Sequence, residues 1–200
     1  SIKGYTELLI KGVGGELNET QRTFLDTVQA NVNHMNSLVS ELLDISRIES
    51  GRLRLEIGDV SIAQVVEEVL RTTRGQIEAK RQTLEVDVPP DLPLVRGDRS
   101  RLVQIVTNLV TNANKYTPEG GRIAVRARRW PESGAGEQNG FVLCTVSDTG
   151  IGISPEDQKR LFTKFFRADA PLVRSVSGTG LGLAITKSLV ELQGGQIWAE

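Results

Sequence analysis

Asn108 and Asn112 stand four residues apart, with Lys115 three further on and Tyr116 beside it. Steps of three and four residues align on one face of a helix, so the two amides and the lysine share a stripe. The opposite stripe, Leu102, Ile105, Val106, Leu109 and Val110, is apolar and suits a core. An asparagine carbonyl offers a hard oxygen without adding negative charge, which fits magnesium bridging phosphates. Lys115 can meet phosphate as a point charge, and Tyr116 can lie against a flat base. A solvated helix face would use the same residue types, and this segment alone does not choose between the two.

Two glycine-rich segments follow in order. Asp148-Thr149-Gly150-Ile151-Gly152-Ile153 closes a β-like run. Its carboxylate can accept a hydrogen bond from an exocyclic amine such as that of adenine, and Gly150 and Gly152 allow close backbone approach. A plain Asp-Thr-Gly turn is the simpler reading. Gly178-Thr179-Gly180-Leu181-Gly182-Leu183 opens a helix, whose free N–H groups bind anions. The spacing begins like a dinucleotide fingerprint, but it follows a long loop late in the chain rather than an early strand of a βαβ unit. No Gly-Lys-Ser/Thr follows, which excludes a Walker-type loop. Between the two glycine sites, Phe162–Arg167 supplies aromatics to anchor a loop, and residues 168–177 are small and polar, as a lid requires. Arg167 or Arg174 could reach phosphate from there; for either alone, solvated surface is the plainer reading.

These residues need elements to hold them. Ile2, Tyr5, Leu8 and Leu9 fit the end of a helix over 1–11, and Gly12, Gly14 and Gly15 break it. Phe24, Val28, Met35, Leu38, Leu42 and Ile45 recur at helical steps through Asn18–Ser50, the period of a bundle helix. Two helices joined by a short glycine loop form an antiparallel hairpin. It has too little core to stand alone, so a homodimeric four-helix bundle is expected in preference to packing on its own chain's second domain. Residues 51–60 read as a connector. Ser61 caps a helix to about Lys80, Thr83–Val88 alternates as a strand, and Asp98 begins the asparagine helix. Strands follow at Arg122–Trp130 and Phe141–Ser147, with a polar, turn-rich tip at Pro131–Gly140. Ser154-Pro155-Glu156-Asp157 starts a helix. A last helix runs from Gly180 to about Gln193, and a strand is expected to begin at Gln196. The predicted fold is α+β: a helical hairpin over 1–50, then an α/β sandwich over 61–200 with helices on one face of a mixed sheet.

Composition sets limits. The net charge of −1 gives no argument for nucleic acid or an acidic membrane surface. The single cysteine, Cys144, excludes a disulfide framework and fits a reducing compartment. No apolar run reaches the roughly 18 residues that span a bilayer, so no membrane contact is expected of this segment.

With these motifs in order, the chain resembles the transmitter core of two-component sensor histidine kinases over essentially all of its 200 residues. The asparagine segment resembles the N box, Asp148–Ile153 and Gly178–Leu183 the two glycine boxes, and Leu161–Phe166 the F box. The hairpin, with Leu42–Gly51 at its end, resembles the dimerisation and phosphoacceptor domain. The resemblance implies a Bergerat-type fold binding ATP and Mg2+. Asn112 would ligate magnesium with Asn108 assisting, Lys115 would contact phosphate, Tyr116 would flank the base and Asp148 would recognise the adenine amine. Gly150, Gly152, Ile153, Arg167, Thr179, Gly180, Leu181 and Gly182 would complete the ATP site. It further implies phosphate passing from a histidine of the hairpin to an aspartate on a response-regulator receiver, in the cytoplasm, including as the cytoplasmic part of a membrane-anchored sensor. Related ATPases carry a water-activating glutamate where Asn108 stands; an amide cannot take that proton near neutral pH. An ATP-gated clamp and a non-catalytic scaffold are the competing readings.

The family's acceptor histidine precedes a segment like Ser1–Tyr5, so by analogy it is expected about eight residues upstream. His34 lies mid-helix without the acid and proline that follow an acceptor, so it is expected at a helix surface or dimer seam. The chain is accordingly expected to be a fragment that binds ATP without phosphorylating itself, with a final strand beyond Glu200. Asn114 departs from the family pattern, where an apolar residue is expected.

Overall fold

The computed structural model describes residues 1–130, 140–170, 173, 176 and 178–200. The strand-connecting tip over 131–139 and Arg174 lie outside the described residues. The chain divides into two compact units, Ser1–Leu53 and Arg54–Glu200.

The first unit is a helical hairpin. Helix α1 (Ile2–Ile10) ends at the glycine-rich turn, and α2 (Glu19–Glu49) returns for 31 residues, about 46 Å at 1.5 Å per residue. Asn18 starts α2 with a reciprocal capping box: its Oδ1 accepts from the Gln21 N–H at 2.8 Å, and Gln21 Oε1 accepts from the Asn18 N–H at 3.0 Å. No residue of α2 is buried. Phe24, Met35 and Leu42 stay 65%, 57% and 50% exposed, so the apolar stripe predicted from the spacing is not buried among the described residues.

The second unit is a layer of helices on a sheet. Strand β1 (Ile57–Val60) precedes α3 (Ile62–Ala79), β2 (Thr83–Asp87), β3 (Val95–Asp98) and α4 (Arg99–Tyr116). Then come β4 (Arg122–Trp130), β5 (Phe141–Asp148), the single turn α5 (Pro155–Gln158) and α6 (Gly182–Leu192). Strand β2 runs parallel to β4, and β4 antiparallel to β5, making a mixed three-stranded sheet. β1 and β3 pair separately as an antiparallel ribbon, so the last four residues of the segment read as a connector are strand. The apolar face of α3 (Val65, Val66, Val69, Ile77), Val106 and Val110 of α4, and Ile123 and Val125 of β4 meet in one buried core. Cys144 packs against that core from β5, where burial pushes its thiol up to about 11; at neutral pH it is an inert packing residue.

Two boundaries differ from the sequence reading. Helix α6 begins at Gly182, because Gly180 has φ +72°, which an α-helix cannot continue through. The strand expected from Gln196 does not form, since none of the described strands pairs with residues 196–200; Trp198 Nε1 instead donates to Glu200 at 2.9 Å.

Candidate functional site

Helix α4 carries the site, and its start is firmly fixed. Asp98 caps it: Oδ1 accepts from the Ser100 and Arg101 N–H groups and the Ser100 hydroxyl, and Oδ2 from the Glu56 N–H at 2.9 Å. Burial by itself would raise the Asp98 pKa; the donors from Glu56, Ser100 and Arg101 outweigh it and hold the carboxyl below its ordinary 3.8. The Asp98 N–H donates to Gln193 Oε1 at 2.7 Å, tying the start of α4 to the residue after α6. The helices therefore run antiparallel, and the N-terminus of α6 lies beside the middle of α4.

That placement joins the asparagines to the second glycine segment. Asn108 Nδ2 donates to Thr186 Oγ1 on α6 at 2.7 Å, and Asn112 Nδ2 reaches Asn108 Oδ1 at 3.5 Å. Gly182 lets α6 approach: a Cβ there would sit 2.7 Å from Asn108 Oδ1. Lys115 Nζ lies 3.0 Å from where a Gly178 Cβ would be, and 5.6 Å from the Tyr116 ring centroid. Helix α6 has no side-chain cap at its N-terminus, so its first N–H groups and positive dipole end face this cluster. The Thr179 hydroxyl accepts from the Leu181 N–H at 3.0 Å. The Leu181 side chain is itself core, 1% exposed, and can serve a ligand only through its backbone.

The first glycine segment meets the other end of α4. Asp148 pairs in register with buried Ile123, which puts it on the helix-covered side of the sheet, at the rim. Its Oδ1 accepts from the Gly150 N–H at 2.8 Å, leaving the second oxygen as a further acceptor. A Cβ at Gly150 would lie 2.6 Å from the Tyr116 carbonyl oxygen, so only glycine allows the loop to sit against the end of α4. Gly152 and Ile153 continue into an exposed loop.

Arg167 lies against the chain that leads into α6. Its guanidinium donates to the carbonyls of Gly178 at 3.0 Å and Val176 at 2.6 Å, and to that of Val173. It ties down the chain before α6 through both terminal nitrogens. The F-box backbone also presses on this segment: Phe165 is held at φ +61°, and a Cβ at Gly180 would lie 2.7 Å from the Phe165 carbonyl carbon. Thr186 escaped the sequence reading. The available signal was its position four residues after Gly182, on the same face of α6.

Residues 97–200 match the family described as histidine kinase-, DNA gyrase B- and HSP90-like ATPase, and residues 1–51 the His Kinase A (phospho-acceptor) domain. The chain belongs to the histidine kinase family. It is 37% identical to drug sensory protein A of Synechocystis sp. over 98% of its own length and 30% of that protein's. It is 40% identical to the sensor protein GacS of Pseudomonas syringae pv. syringae, over 98% of this chain and 21% of GacS. It thus spans under a third of these relatives. Full-length ShkA, solved in complex with AMPPNP, matches all of this chain and 41% of its own with a TM-score of 0.73 at 25% identity. The first match lies within the α/β unit and the second within the helical unit. Among the described residues, no helix of this histidine kinase segment is long and apolar enough to cross a membrane.

Proposed function

We propose that the second unit binds ATP with Mg2+ between α4, the Asp148–Ile153 loop and the N-terminus of α6, and that the parent protein transfers the γ-phosphate to a histidine of the hairpin. From there phosphate passes to an aspartate of a response-regulator receiver. The observation that carries the reading is the meeting of the Asn108–Asn112 pair with the uncapped, glycine-lined start of α6.

The residues present suit the ligand. Among the described residues there is no group of three or more His, Cys, Asp or Glu side chains that could hold a metal. An ion here would therefore draw most of its ligands from phosphate oxygens and water, as magnesium does with nucleotides. Asn112 would add an amide oxygen, with Asn108 assisting. Lys115 and the first N–H groups of α6 would meet phosphate. The second oxygen of Asp148 would accept from the adenine amine, and Tyr116 would flank the base. Bound Mg2+ would neutralise charge on the phosphates during transfer. Asn108 cannot act as a base toward water, and its amide nitrogen is already committed to Thr186; the site holds ATP for transfer rather than hydrolysis.

The uncovered apolar stripe of α2 supports a homodimer through the hairpin. His34 sits midway along α2 with no following acid or proline, and we place it outside the phosphotransfer chemistry. Incubation of the chain with γ-labelled ATP checks that: the expected result is no label on His34, and stable labelling there would overturn it.

A further inference from the structure

We propose that Lys80 and Gln82 are positioning residues for the nucleotide site: they clamp the C-terminal carbonyls of α4 and so set the Tyr116 backbone against the Asp148–Gly150 loop. The proposal rests on the nucleotide reading above and extends it to residues that would touch no ligand.

The last carbonyls of a helix have no partner within it and carry its negative dipole end. In α4 they are gathered by a segment from the α3–β2 turn. Lys80 Nζ donates to the carbonyls of Asn114 at 2.7 Å, Lys115 at 3.2 Å and Thr117 at 3.3 Å. Gln82, only 6% exposed, donates through Nε2 to the carbonyls of Thr117 at 2.7 Å and Asn114 at 3.1 Å. Its own Oε1 accepts from Asn114 Nδ2 at 2.7 Å. Asn114, the residue that departs from the family pattern, is therefore the half-buried counterpart of Gln82. A polar pair replaces apolar packing at this point and ties side chain to side chain as well as to backbone.

The consequence reaches the site through one atom. The Tyr116 carbonyl oxygen lies 2.6 Å from where a Gly150 Cβ would be, and the Gly150 N–H in turn donates to Asp148. A shift of the last turn of α4 moves the wall on which that loop rests. Displacement of binding groups by about 1 Å can cost up to roughly a hundredfold.

Lys80→Met removes the cation and Gln82→Met the amide, each at similar volume; Lys80→Arg keeps the charge. The readouts are affinity for a fluorescent ATP analogue with Mg2+, amide hydrogen exchange at Thr149 and Gly150, and circular dichroism to verify folding. Both methionine variants are expected to bind about tenfold more weakly, with faster exchange at Gly150, and Lys80→Arg to recover most of the loss. Lys80 lies at the rim of the core, so Lys80→Met reports even if Gln82→Met fails to fold. Folded Lys80→Met with unchanged affinity and exchange would overturn the clamp alone. Absence of binding by the unaltered chain would overturn the nucleotide reading, and the clamp with it.

Discussion

At the scale of single residues, the site is built by close approach, and the glycines differ in what they tolerate. A methyl group at Gly182 would meet Asn108 Oδ1 at 2.7 Å, and Asn108 is held by Thr186. Gly182→Ala must break that bond or push α6 away, a cost of about 1–3 kcal/mol in overpacking. It is expected to weaken Mg2+·ATP binding in a titration, along with a drop in melting temperature. At Gly178 the nearest atom is the mobile end of Lys115, at 3.0 Å, so Gly178→Ala is expected to bind within about threefold of wild type. Equal effects of the two substitutions would show that the Asn108–Gly182 contact is not what the site depends on. Thr186→Val, which keeps shape and removes the acceptor, leaves the half-buried Asn108 amide short of a partner. A loss of about 1–3 kcal/mol in chemical denaturation is expected.

At the scale of elements, Asp98 organises the second unit. It joins the end of β3, the start of α4, the chain at Glu56 and, through its N–H, Gln193. Its carboxyl is held below 3.8, so it binds its proton less readily folded than unfolded. The stability this contributes is present above about pH 4 and is lost as pH falls through the lowered folded value. Thermal melts of the chain are expected to shift downward below about pH 4, and Asp98→Asn to flatten that part of the profile. Asp98→Ala at neutral pH loses the cap, about 1 kcal/mol, and orphans the Glu56 N–H besides.

The elements also show what a sequence can and cannot carry. The asparagine helix was legible because its signal is local: Asn108, Asn112 and Lys115 align by helical period, and Asp98 is a cap by residue type. The capping residues Ser61 and Ser154 were readable for the same reason. β1 and β3 were not, because four-residue strands offer too few alternations and their pairing joins Ile57 to Asp98. The Gln82–Asn114 pair spans 32 residues; each looks like a surface amide until the turn brings them together. Arg167 has the charge for phosphate, yet its carbonyl partners depend on a loop conformation that no spacing rule reports. The start of α6 was misjudged by two residues at Gly180 because glycine suits both a helix start and a positive φ.

At the scale of the whole molecule, two units divide the labour proposed for a histidine kinase. Among the described residues, the hairpin offers an apolar stripe that is not buried, whereas the α/β unit has a buried core. Sedimentation of the chain is expected to show a concentration-dependent dimer. The double substitution Met35→Glu with Leu42→Glu should shift it to monomer while ATP affinity stays within about twofold, since the nucleotide site belongs to the other unit. A monomer at every concentration would contradict the dimer.

The most direct test of the account is isothermal titration of ATP into the chain with and without Mg2+, repeated for Asn112→Ala and Asp148→Asn. The expected result is Mg2+-dependent binding by the unaltered chain and a loss of about tenfold or more in each folded variant, the size of one charge-assisted or ion-ligating contact. Equal affinity in all three would contradict the assignment of the asparagine helix and Asp148 to the nucleotide.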